Sequence, residues 1–248
     1  MPLNQMSPTT RFFESRLNNY SSNVFSPGDI SGLIVWLKAD ALVLSDNDAI
    51  TTWTDSSGQS NNATQGTGAA KPTYKTNIQN GKPVARFDGG DFLDITTTGF
   101  ANSAFTVFVA MSYSSGSFPA FFAEISGGSN GYVALGGDNA NQMAISKTGI
   151  ATSSSNLSIG SFAQFCYKSA GISGGNITVT PYKNGTQGSG DLSLTSVATN
   201  TNTEIGASKG GSADFLVGDI AEIIYYNSQL SDVNRQSVES YLTTKYGL

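Results

Sequence analysis

Histidine is missing from this chain of 248 residues, and cysteine occurs once. The first absence excludes His-based triads, His-ligated metals and histidine general-base chemistry. The second excludes an intrachain disulfide scaffold and a cysteine-ligated zinc site. Cys166, set in FAQFCYKSAG, reads as a small buried hydrophobe. Charge is scarce as well. The 13 basic and 18 acidic residues give a formal charge of −5, and charged residues make up 12% of the chain, about half the usual share of roughly 25%. No basic stripe is present to neutralise phosphate, which excludes nucleic acid as a partner. No apolar run is long enough to cross a bilayer as a helix, so membrane insertion is not expected. The opening MPLNQMSPTTRFF has no basic segment leading into an apolar stretch, so no recognisable signal peptide is expected either. Assembly into a larger particle, release by lysis and a missing leader are each compatible with that.

What is abundant is Ser, Thr, Asn, Gln and Gly, which must make the surface polar. Such a surface suits an extracellular or virion location, or a module that faces sugars. From Gly32 onward, short alternating or apolar segments follow one another: LIVWLKA, ITTWT, PVARFDGGDFLDI, AFTVFVAMSY, PAFFAEIS, GYVALGG, QMAISKT, FAQFCYKSA, NITVTPYKNG, TEIGAS and GDIAEIIYY. Turn signals separate them at Asn80–Gly81, Asn130–Gly131 and Asn184–Gly185. Regular short strands without intervening helices predict an antiparallel sandwich rather than a parallel α/β sheet. Trp36 and Trp53 are expected in its core.

The chain closes on one helix. Ser231 is a good N-cap, Asp232 favours the positive end of the helix dipole, and Gly247 is a stop signal behind Lys245. Val238, Tyr241 and Leu242 share a face that Val233 extends, and this face is expected to cover a sandwich edge or its loops. Residues 1–28 read as an N-terminal arm. Phe12, Phe13 and Leu17 form one face of a short helix there, as anchoring residues that fold back on the domain or dock to a neighbouring subunit or protein. Residues 29–248 are then one domain.

The segments GLIVWLKADA (32–41), ITTWTDSSGQSNNAT (50–64), GKPVARFDGGDFL (81–93), FTVFVAM (105–111) and GDIAEIIYYNSQLSDVNRQSVESYLTTKYGL (218–248) resemble the laminin G-like, concanavalin A-like jelly-roll family, in its bacterial and phage branch. The resemblance implies an all-β antiparallel jelly-roll sandwich with a short C-terminal helix. It also implies a non-enzymatic binding module displayed on a virion or cell surface, with glycan adhesion as its role. A structural capsid or tail decoration protein is the rival, and a glycan-active enzyme is the distant third. Implied partners are a glycan or host-surface polysaccharide, a virion or surface protein held by the arm, and further copies of the chain as a homo-oligomer.

Two sets of residues are candidate sites. Oxygen-rich side chains concentrate at Asp55–Asn62, where Asp55 and Asn61 with Asp219 or Asp88 would hold calcium, a hard ion that takes oxygen ligands. The same loop also suits a purely structural task, with Asp55 capping its own turn. For a glycan, which needs an aromatic face and polar groups for its hydroxyls, the candidates are Tyr113, Asn130, Tyr132, Asp138, Asn141, Tyr182 and Asn184. No catalytic residue is expected. Asp219 and Glu222 are the nearest approach to an acid pair, but residues three apart on a regular strand point to opposite faces.

Overall fold

The computed structural model describes residues 24–96, 103–115, 118–125, 132–147, 150–195 and 202–248. The anchoring residues Phe12, Phe13 and Leu17 lie outside them, as does Asn130 and, for its side chain, Tyr132. Strands β1 (Leu33–Lys38), β2 (Thr52–Trp53), β3 (Ala63–Thr64), β4 (Thr73–Gln79), β5 (Lys82–Asp88), β6 (Leu93–Ile95), β7 (Phe105–Ser115) and β8 (Ala120–Ile125) fill the first half. The second half holds β9 (Tyr132–Gly137), β10 (Gln142–Lys147), β11 (Ile150–Ser158), β12 (Ala163–Ser173), β13 (Asn176–Lys183), β14 (Thr186–Gln187), β15 (Leu192–Thr195), β16 (Asn202–Ile205) and β17 (Val217–Tyr226). One helix, α1 (Asp232–Tyr246), follows.

The strands make two antiparallel sheets. The first runs β14-β13-β12-β7-β17-β5-β4, with β1 added along β17 and β15 along β13. The second runs β11-β10-β9-β8-β16-β6-β3-β2. Consecutive strands pair at the outer parts of both sheets, but their middles join sequence-distant strands, β12-β7-β17-β5 in the first and β8-β16-β6 in the second. The first closes only when the last strand, β17, enters between β7 and β5. The alternation seen in the sequence sets the two faces. Val35 and Leu37 of β1, Val107 and Val109 of β7, Phe165 and Tyr167 of β12, and Ile220 and Ile223 of β17 enter the core between the sheets. Trp53 is fully buried with them, as expected.

The opposite face of the first sheet is also apolar, and α1 covers it. Phe108, Cys166, Ile224 and Tyr226 meet Val238, Leu242 and Tyr246 there. The helix therefore lies on a sheet face and not on the sandwich edge. The reason is that β7, β12 and β17 carry apolar residues on both faces, and one face needs a cover other than the second sheet. Trp36 sits half-buried on this helix side rather than in the inter-sheet core, because it alternates with the inward Val35 and Leu37. Val233 points outward at 72% exposure and does not extend the buried face.

Capping follows the sequence. The Ser231 side chain accepts from the Asn234 N–H, and Gly247 ends the helix at φ 65° with its N–H on the Thr243 carbonyl. The β4–β5 turn completes the far end. Gln79 Nε2 donates to the Tyr246 carbonyl at 2.7 Å and Asn80 Nδ2 to the Lys245 carbonyl at 3.1 Å. Among the described residues, no helix is long and apolar enough to cross a membrane.

Candidate functional site

Under α1 the structure gathers a polar cluster around Glu222, which is fully buried. Its Oε1 accepts from Trp36 Nε1 and, at 3.0 Å, from the Tyr241 hydroxyl. Its Oε2 accepts from Lys245 Nζ at 2.8 Å and from the Tyr246 hydroxyl at 2.8 Å. Lys245 also reaches Asp40 at 2.9 Å. Burial pushes the Tyr241 and Tyr246 hydroxyls well above the usual tyrosine range, and the Glu222 charge adds to it. Neither phenol is therefore suited to act as a base near neutral pH.

Asp219 is nearby in sequence and shares that side of the sheet. In the ladder with β7, Ile220 pairs with Met111 and Glu222 with Ala110, so Ala221 has no partner of its own. This β-bulge resets the alternation. Ile220 and Ile223 both reach the core, and Asp219 and Glu222 both face away from it. The expectation that these acids point to opposite faces is corrected accordingly. Asp219 is held by a bidentate ion pair with Arg86, at 2.7 Å from Nε and 2.8 Å from Nη2.

The residues expected to hold calcium are separately engaged. Asp55 is saturated by local donors, with Oδ1 taking the N–H of Trp36 and of Ser57 and Oδ2 taking Ser57 Oγ and the Asn61 N–H. Asn61 Nδ2 ties the same loop to the Ile34 carbonyl at 2.8 Å. Asp88 caps its own turn through Gly90 N–H, and Asp219 is committed to Arg86. Asp55 thus does the turn-capping work that was its structural alternative. Among the described residues no three acidic or cysteine side chains group as metal ligands.

The expected glycan residues are dispersed. Tyr113 is buried in the inter-sheet core and Tyr182 on the other face of the same sheet. The Arg235 guanidinium lies 4.0 Å above the Tyr182 ring. Neither ring offers a platform to a sugar, because the apolar alternation that makes their strands also buries them. Asp138 caps a turn through the N–H groups of Ala140 and Gln142. Asn184, at φ 47°, builds the turn before β14 and accepts from Gln164 N–H. Asn141 is exposed at φ 59° in the β9–β10 turn.

Two other features have the chemistry of sites. The first is an open groove of about 550 Å³ where Val24 and Phe25 meet α1. Phe25 and Tyr241 supply aromatic surface, while Gln236, Ser237, Ser240, Thr244 and Lys245 supply polar groups. The second is an acid pair on the second sheet, on the side away from the core. Glu204 of β16 stands directly opposite Asp94 of β6. Burial pushes the Glu204 carboxyl up to about 7; Asp94 adds to the rise, and the backbone N–H groups of Gly211 and Gly210 oppose it. Burial also raises Asp94, against a hydrogen bond from Asn202. Both features were missed in the sequence. The acids had a signal, a lone charge inside the apolar runs FLDI and TEIG. The groove had none, since it joins residues more than 200 positions apart.

No protein-family model matches the chain, and no curated protein sequence matches it. Solved structures do share its fold. A sialidase from Trypanosoma rangeli, in complex with the inhibitor DANA, aligns with a TM-score of 0.57 at 13% identity, over 93% of this chain and 37% of that one. Domain 4 of AbnA, a GH43 extracellular arabinanase from Geobacillus stearothermophilus, in complex with arabinotriose, aligns with a TM-score of 0.58 at 15% identity, over 85% and 97%. The CBM40 of a Ruminococcus gnavus IT-sialidase, bound to α2,3-sialyllactose, aligns with a TM-score of 0.50 at 15% identity, over 63% and 96%.

These likenesses establish the fold, an antiparallel β-sandwich with a terminal helix. They also correct the expectation that the chain is not an enzyme. Its sandwich recurs within a sialidase and an arabinanase, so the fold gives no ground for setting the chain apart from glycan-active proteins. The bulge at Ala221 removes the geometric ground as well. The virion, decoration and calcium expectations have no counterpart among these neighbours.

Proposed function

We propose that this chain is a glycan-binding β-sandwich domain, laminin G-like in type, that works outside the cell within a glycan-active system. The observation that carries the reading is the groove between Phe25 and α1. Sugar recognition needs an apolar ring face for the pyranose or furanose and polar groups for its hydroxyls. The groove places Phe25 and Tyr241 beside an amide, three hydroxyls and an ammonium, in a volume that fits a short oligosaccharide. Lys245 enters already neutralised by Glu222 and Asp40, which favours a neutral saccharide over an anionic one. The glycan complexes among proteins of this fold support the ligand class.

Nuclear magnetic resonance titration with arabinotriose and with α2,3-sialyllactose tests the reading. Shifts are expected at residues 24–25 and along α1, stronger with the neutral sugar, and Phe25→Ala should weaken binding at least about tenfold. Shifts that map elsewhere, or none with either sugar or a wider glycan array, would refute the groove. Assaying the same mixtures for released reducing sugar decides whether binding is accompanied by hydrolysis.

A further inference from the structure

The acid pair on the second sheet is independent of the groove. Leu93, Ile95 and Ile205 point into the core, so Asp94 and Glu204, which alternate with them, face the other way. The two carboxylates are direct cross-strand partners, an arrangement in which like charges repel. Glu204 is only 1% exposed, and among the described residues its Oε2 has no hydrogen-bond partner. The groups that act on its charge are the Gly211 and Gly210 amides and Asp94. Asn202 Nδ2 donates to Asp94 Oδ1 at 3.0 Å, and Asn202, two residues before Glu204 on β16, stands on the same face of the sheet with an amide oxygen to offer. Asp94 and Asn202 are half-buried, so the cluster is closed at Glu204 and open at its other end. Among the described residues no cationic side chain acts on either Glu204 or Asp94, so a buried acceptor without a donor faces a second carboxylate uncompensated.

We propose that Asp94, Glu204 and Asn202 bind a hard divalent cation of the size of calcium. The donors are all oxygen, the set that suits calcium rather than the transition metals that prefer thiolate or imidazole. Two carboxylates balance the ion's charge, and the orphaned Oε2 gains the partner that no described residue supplies. Water completes the shell at the open side. With two carboxylates rather than three or four, affinity belongs at the weak end, with a dissociation constant on the order of 10⁻⁴ to 10⁻³ M. The site is separate from the Asp55 loop, whose carboxylate is already saturated.

Calorimetric titration with calcium chloride, paired with thermal melts in millimolar calcium and in chelator, tests the proposal. Wild-type protein should bind calcium and melt a few degrees higher with it. Glu204→Gln and Asp94→Asn should each weaken binding at least about tenfold. Both variants should melt no lower than wild type in chelator, because each removes like-charge repulsion, so loss of the response is not loss of the fold. Asp88→Asn should keep the response. Absence of a calcium response in wild type overturns the proposal, as does a response that survives both Glu204→Gln and Asp94→Asn.

Discussion

Asp219 and Glu222, three residues apart on β17, lie on the same side of the sheet because Ala221 is an extra residue between them. Their environments nevertheless diverge. Asp219 meets an Arg86 side chain that is 44% exposed, whereas Glu222 has no exposure and accepts from four donors. The bulge thus delivers Glu222 to the underside of α1, where it joins the first strand to the last helix through Trp36, Tyr241, Lys245 and Tyr246.

That difference predicts unequal costs. Glu222→Ala strands Lys245, Trp36 Nε1 and two phenols under the helix and should lower unfolding free energy by about 3–5 kcal/mol. Asp219→Ala breaks a bidentate pair whose Arg86 side stays open to water and can be solvated, and should cost less, about 1 kcal/mol. Urea denaturation of the two variants, followed by far-ultraviolet circular dichroism, measures both. Equal losses would mean that the Glu222 cluster is not a keystone of the helix packing.

Acid pH should favour the fold through Asp91. This side chain is 4% exposed, and its Oδ2 accepts from the Asp88 N–H at 2.9 Å. Burial pushes its carboxyl up to about 6, and the Asp88 charge adds to the rise against that hydrogen bond. The folded state therefore keeps a proton that the unfolded chain releases near pH 4. The contribution is fully present below that value and is lost as pH rises through about 6. Asp91→Asn should match wild type near pH 4 and melt about a few degrees higher near pH 7. A gap between the two melting curves that does not grow with pH counts against this assignment.

Cys166 reports on opening of the layer between α1 and the first sheet. It is buried beneath α1, and burial pushes its thiol well above the ordinary range, with Glu239 adding to the rise. Native protein should react with a disulfide reagent at least about a hundredfold more slowly than unfolded protein. The labelling rate across urea concentration should then follow the exposure of the helix-covered face. Fast labelling in native buffer would mean that α1 is not closed over the sheet.

Much of the fold was legible in local pattern. The apolar alternation of LIVWLKA, FTVFVAM and GDIAEIIYY marked β1, β7 and β17, and Ser231, Lys245 and Gly247 marked the ends of α1. Strands with little apolar content escaped it. β4, TYKTNIQ, has a burial pattern with one fully buried position, and β11, IATSSSNLS, is rich in serine. Such edge strands are held by ladder hydrogen bonds to a neighbour, which leave no hydrophobic period to read.

The candidate sites were legible less often, because a side chain's task depends on what the fold brings opposite it. Tyr113 and Tyr182 looked suited to sugar, but two different cores claim them. Asp55 looked like a metal ligand, but its own loop and β1 use every lone pair offered. Glu204 and Asp94 are 110 residues apart and meet only because β16 pairs with β6. The sequence by itself determined that the body is antiparallel β and that one capped helix follows the last strand, since period, turn residues and caps are local properties of the chain. Only the tertiary structure decided that this helix roofs a sheet face, that a one-residue bulge turns Asp219 and Glu222 to the same side, and that Phe25 meets Tyr241 across a groove. Those outcomes depend on long-range pairing, in which one extra residue reverses which face a side chain occupies.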